Sequence, residues 1–100
     1  MTETREDSGW AWVIKWATSG IVARAEVRSA GIYGDGDIEA DDDAPPDFTV
    51  DVRSDGCMEI DMDQRYHFCS AAETEAYGRL ISWLYKRGVE LAIESDEGKR

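Results

Sequence analysis

The chain has 100 residues, 42% apolar and 10% aromatic, enough for one domain with a small core. Twenty-two acids against eleven bases leave a formal net charge of −11. That balance excludes direct binding to nucleic acid or to an anionic membrane, and favours a basic protein or a cation as partner. The excess is local: Asp35 to Asp63 carries twelve acids against one base, Arg53, so the flanks are neutral.

Met1 to Ser8 is charged and shows no period, which predicts a frayed terminus. No secretory signal precedes the two cysteines, Cys57 and Cys69, and no run approaches membrane-spanning length. The expectation is a cytoplasmic protein with two free thiols in a reducing compartment.

Trp10 to Ala17 alternates, with Trp10, Trp12, Ile14 and Trp16 on one side, and reads as a strand. Ser19-Gly20 supplies a turn and Ile21 to Arg28 a second strand. A two-residue Ser19-Gly20 loop pairs Trp16 with Ala23, Ile14 with Ala25 and Trp12 with Val27, large against small on one buried face. A tryptophan stripe can also serve as a base-stacking platform, but the negative charge assigns it to the core.

Gly31 to Pro46 is rich in Gly, Pro and Asp and reads as an acidic loop over 34–46. Ile32 and Tyr33 are placed to prolong the second strand, and Ile38 to tack the loop down. Phe48 to Asp63 is a second hairpin. A three-residue Ser54-Asp55-Gly56 loop pairs Val52 with Met58, Val50 with Ile60 and Phe48 with Met62, all apolar residues on one face. Asp51 then faces Glu59, Thr49 faces Asp61 and Asp47 faces Asp63 on the outside. Gln64, Tyr66 and Phe68 keep the inward parity, which would leave Arg65, His67 and Cys69 outward. On one straight strand Cys57 and Cys69 would lie about 40 Å apart, too far for a disulfide.

Ser70 and Glu73 form a capping box. The helix that follows carries Tyr77, Leu80, Ile81, Leu84 and Tyr85 on one stripe, with Ala76 and Trp83 widening it. Lys86 and Arg87 suit its C-terminal turn and Gly88 its C′ position. Gly78, costly inside a helix, is explained by a close approach to the sheet. Val89 to Glu94 is either a short fifth strand or a continuation of the helix, and 95–100 is a flexible tail. The expected fold is α+β: an antiparallel sheet of two β-hairpins with one C-terminal helix packed on one face.

No catalytic constellation emerges. The single histidine, His67, lacks an orienting partner by motif, and the carboxylates lack the apolar pocket that acid–base work requires. No cofactor motif is present. Asp51 to Met62 overlaps a calcium loop at four positions but places Arg53 and Met62 where ligands are required. The cluster Asp35, Asp37, Glu39, Asp41, Asp42 and Asp43 offers weak calcium binding as an alternative.

The stronger expectation is a protein-binding surface. Like charges opposed across a hairpin destabilise it, and sequences break such rules where function needs it. The candidate residues are Asp35, Asp37, Glu39, Asp41, Asp42, Asp43, Asp47, Asp51, Glu59, Asp61 and Asp63. Alternate strand residues stand about 6.6 Å apart, on the scale of nucleic-acid backbone charges.

On these features the chain resembles the small acidic proteins of phages and mobile elements, above all anti-CRISPR proteins. It is also similar in character to acidic immunity proteins that block basic toxin nucleases. The resemblance lies in size, a pI near 4.3, a sheet plus one helix, and acids on one face. It implies a non-enzymatic inhibitor that binds a CRISPR effector subunit or similar nuclease through its basic nucleic-acid-binding surface.

Overall fold

A computed structural model describes residues 1–62 and 67–97. It is α+β: an antiparallel sheet with one long helix on one face. The strands are β1 (Thr2–Asp7), β2 (Trp10–Ser19), β3 (Val22–Tyr33), β4 (Asp37–Glu39), β5 (Phe48–Arg53) and β6 (Met58–Asp61), and the helix is α1 (Ala71–Glu97). The sheet order is β1-β2-β3-β5-β6, and β4 pairs with the far end of β3.

The alternation in β2 puts Trp12, Ile14 and Trp16 in the core with Ala23, Ala25 and Val27 of β3 and Phe48, Val50 and Val52 of β5. Faces follow the expectation; the pairing does not. Trp16 lies opposite Ala25, Ile14 opposite Val27 and Trp12 opposite Ser29, so the β2–β3 loop is Gly20-Ile21. Gly20 has φ +60° and Ile21 does not have positive φ, the pattern of a turn that needs glycine at its first position. The shift by two residues preserves every face and sets Lys15 opposite Glu26, where the other register opposed Lys15 to Arg24.

The β5–β6 register matches the expectation over the described strand: Val52 faces Met58, Val50 faces Ile60, Asp51 faces Glu59 and Thr49 faces Asp61. Gly56, at φ +92°, closes the three-residue loop with a bond from its N–H to the Arg53 carbonyl. The strand ends at Asp61, so His67 and Cys69 do not continue it; the expected positions of Asp63, Gln64, Arg65 and Tyr66 lie outside the described residues. Cys57 and Cys69 are free and exposed.

The expected frayed terminus is a strand. Thr2–Asp7 pairs along β2 through a Ser8-Gly9 loop with positive φ at both positions. Its inward residues are polar, and the helix meets them in kind. Arg79 makes a two-pronged bond to Asp7 at 2.6 and 2.9 Å, Arg5 lies 5.3 Å from the Trp83 ring centroid, and Arg87 reaches Glu3 at 2.9 Å. Two strand residues advance about 6.7 Å and four helix residues about 6 Å, so Asp7, Arg5 and Glu3 stay in step with Arg79, Trp83 and Arg87.

This ladder has a pH signature. The Arg79 guanidinium, with the Ser8 hydroxyl, pulls Asp7 down from 3.8 to about 2. A depressed carboxylate contributes stability that is complete above its unfolded pKa and is lost as pH falls through its folded one. Wild type is therefore expected to lose stability between about pH 4 and pH 2, and Asp7→Asn to show a shallower acid limb over that window in urea melts.

Helix α1 begins as expected, with the Ser70 hydroxyl accepting the Glu73 N–H at 3.1 Å and Glu73 accepting from Cys69 N–H at 3.3 Å. It then runs through Gly88 to Glu97, so Val89–Glu94 is helical and 95–97 is no tail. Ala76, Leu80, Leu84, Gly88, Leu91 and Ala92 form its buried line. The close approach to the sheet expected of Gly78 belongs to Gly88, which does not end the helix. Gly78 has open space where a side chain would sit, whereas a Cβ on Gly88 would stand 2.5 Å from Val52 Cγ2 and 2.7 Å from its Cβ. At Gly88 the helix packs directly on the Val52 side chain of β5.

Candidate functional site

The outer sheet face carries the charges, and its strand register decides which are free. One row reads Thr2, Lys15, Glu26, Thr49, Asp61, and the next reads Ala17, Arg24, Asp51, Glu59. Opposite charges therefore meet across β2, β3 and β5, and the face turns purely negative at the β6 edge. Asp51 illustrates the difference from expectation. Arg24 grips both its carboxylate oxygens at 2.7 and 2.9 Å, and that hydrogen bond holds the Asp51 pKa below the usual carboxylate range. Arg24, reciprocally, is raised. The like-charge pair Asp51–Glu59 thus has a cation built in beside it. Sequence reasoning paired hairpins one at a time and missed the β3–β5 contact that supplies Arg24.

Replacing Arg24 by Gln is expected to lower the melting temperature and to make it rise with added salt, because Asp51 and Glu59 are then left facing each other. Adding Asp51→Asn should restore most of the loss; no recovery in the double variant would contradict this pairing.

Asp47 also has a structural task, accepting the Ser29 N–H at 2.6 Å. Asp41 accepts the Asp43 N–H at 3.0 Å and shapes the local turn. The remaining candidates, Asp35, Asp37, Glu39, Asp42, Asp43, Glu59 and Asp61, are exposed and have no salt-bridge partner among the described residues. Asp63 lies outside those residues.

The free acids fall into two groups. Glu59 and Asp61 line the β6 edge. Asp35, Asp37, Glu39, Asp42 and Asp43 belong to an arm that the loop expectation over 34–46 did not resolve. Strand β3 prolongs to Tyr33, as anticipated, and turns back at Gly34-Asp35-Gly36 into β4. Gly34 and Gly36 have φ +47° and +95°, which glycine accepts at no steric cost. The chain then folds over the outer face of the sheet. The Ala44 carbonyl takes a bond from Arg28 Nε at 2.9 Å, Arg28 also pairs with Glu26 at 3.1 Å, and Ile38 lines a depression with Val13, Thr2 and Thr4. Val13 is thereby buried on a face expected to be open to water. Ile38 does tack the segment down.

Among the described residues, no group of three or more His, Cys, Asp or Glu side chains converges in a way that could hold a metal ion. No described helix is long and apolar enough to cross a membrane. The architecture defines the class: an α+β open sheet, one face sealed by a helix, the other edged with free carboxylates. Comparison with protein-family models, curated proteins and solved structures returned no match.

Proposed function

We propose that the protein is a non-enzymatic inhibitor, acting in the cytoplasm of a host cell, that occupies the basic nucleic-acid-binding surface of a CRISPR effector or similar nuclease complex. The observation that carries this reading is the division among the acids. Of the candidate acids, Asp41, Asp47 and Asp51 are bonded within the fold, and seven stand exposed in the arm and along β6 with no salt-bridge partner among the described residues. A solvated surface with no partner would mix signs for solubility, as β2 and β3 do; the arm carries acids alone from Asp35 to Asp43. Four of the seven, Asp37, Glu39, Glu59 and Asp61, are held on strands and present charge at a fixed spacing, which speeds association with a basic cleft and makes it salt-sensitive.

The test is competition. A purified effector complex, or a basic nuclease, is bound to labelled DNA, and the protein is added at low and at high salt. Displacement that weakens steeply with salt supports the reading. Binding that leaves the DNA in place, or that is indifferent to salt, contradicts it.

A further inference from the structure

The arm carries more than charge. A Cβ on Gly31 would lie 2.7 Å from Cζ and the hydroxyl oxygen of Tyr33 and 2.8 Å from Cε2, so the Tyr33 ring lies back over a residue whose missing side chain leaves room for it. Tyr33 nevertheless remains 59% exposed. In the β3–β4 ladder Tyr33 stands opposite Asp37, Gly31 opposite Glu39 and Ile32 opposite Ile38. Directly opposed residues share a face. One face of the arm therefore presents an aromatic ring with two carboxylates across from it, and the other presents the two isoleucines. Neither Asp37 nor Glu39 has a salt-bridge partner among the described residues.

We infer that this face is a guanidinium site: Tyr33 stacks an arginine of the basic partner while Asp37 and Glu39 accept its N–H groups. The inference rests on the function proposed above and specifies its chemistry as arginine in preference to lysine. A guanidinium is planar, weakly hydrated and forked, so it can lie on a ring and donate to carboxylates together. An ammonium pairs with the carboxylates as a point charge and gains less from the ring. Because the ring already rests on Gly31, little rotamer freedom is lost on stacking.

The test uses hexa-arginine and hexa-lysine peptides, equal in charge, titrated at low ionic strength into isotopically labelled full-length protein and followed by amide chemical shifts. Hexa-arginine is expected to bind about three-fold more tightly, the scale of one exposed cation–π contact, with the largest shifts between Gly31 and Glu39. Tyr33→Leu should equalise the two peptides and Tyr33→Phe should keep the preference. Gly31→Ala, which displaces the ring, should reduce it. Equal affinity in the wild type, or a preference that survives Tyr33→Leu, overturns the guanidinium site and leaves the acidic-surface reading standing. If neither peptide binds, both fail.

Discussion

Gly88→Ala is expected to destabilise the protein by about 1–2 kcal/mol, while Gly78→Ala in the same helix stabilises it by up to about 1 kcal/mol. Both substitutions improve helix propensity by a similar amount. They differ in what the new methyl group meets. At Gly78 it meets open space; at Gly88 it would overlap Val52, a fully buried residue one position before the end of β5. The Val52 Cβ cannot move without its strand, so the helix must lift and open gaps beside Leu84 and Leu91. Overpacking of this kind costs about 1–3 kcal/mol, which outweighs the propensity gain. Trimming the obstacle should reveal the coupling: in urea denaturation, Gly88→Ala combined with Val52→Ala is expected to be less destabilised than the sum of the single variants. Additive losses, or a stabilised Gly88→Ala, would show that helix and sheet are not in contact there.

The second large effect concerns binding. Reversing the five free acids of the arm, Asp35, Asp37, Glu39, Asp42 and Asp43, to lysine is expected to weaken association with a basic partner by at least about 100-fold, since several attractive pairs become repulsive. The fold should survive, because exposed positions without partners usually change stability by no more than about 0.5 kcal/mol each. The choice of residues is part of the prediction. Asp47 and Asp51 are left alone: their carboxylates hold Ser29 N–H and Arg24, so reversing them would damage the sheet and confuse a folding defect with a binding defect. Reversing Glu59 and Asp61 separately asks whether the β6 edge shares the interface. A smaller loss there than in the arm would place the principal contact on β3–β4.

The parts of this fold that were legible in the sequence are those where apolar residues report their own environment. Trp12, Ile14 and Trp16 announce β2 and its buried face, and the Val50, Val52, Met58 and Ile60 pattern with Gly56 pins the second hairpin. Strand β1 was not legible because neither of its faces is apolar. Its inward residues, Glu3, Arg5 and Asp7, are matched by Arg87, Trp83 and Arg79, partners more than seventy positions away, and charge at that separation leaves no local period. The β2–β3 pairing was misplaced by two residues because such a shift leaves the faces unchanged; only Gly20 and the Lys15–Glu26 pair distinguish the registers. The end of the helix stays open in the sequence, because a glycine near a basic pair resembles a helix stop. Its actual reason, contact with Val52, exists only in three dimensions.

The acidic surface was half legible. Its position in the chain and the outward placement of Asp51, Glu59 and Asp61 follow from the hairpin register. Which carboxylates are free does not follow, because Arg24 and Ser29, which hold Asp51 and Asp47, come from another strand. The folded chain turns a set of eleven candidates into a smaller group without a structural task among the described residues and singles out the β3–β4 arm, where Tyr33 and the isoleucines give opposite faces different chemistry.

The most direct test of the acidic-interface account is competition binding by the wild type and the arm-reversed variant against labelled DNA on one purified basic effector, with circular dichroism confirming that both proteins are folded. The account predicts that the wild type displaces the DNA in a salt-dependent manner and that the folded variant does not. Equal displacement by the two proteins would contradict it.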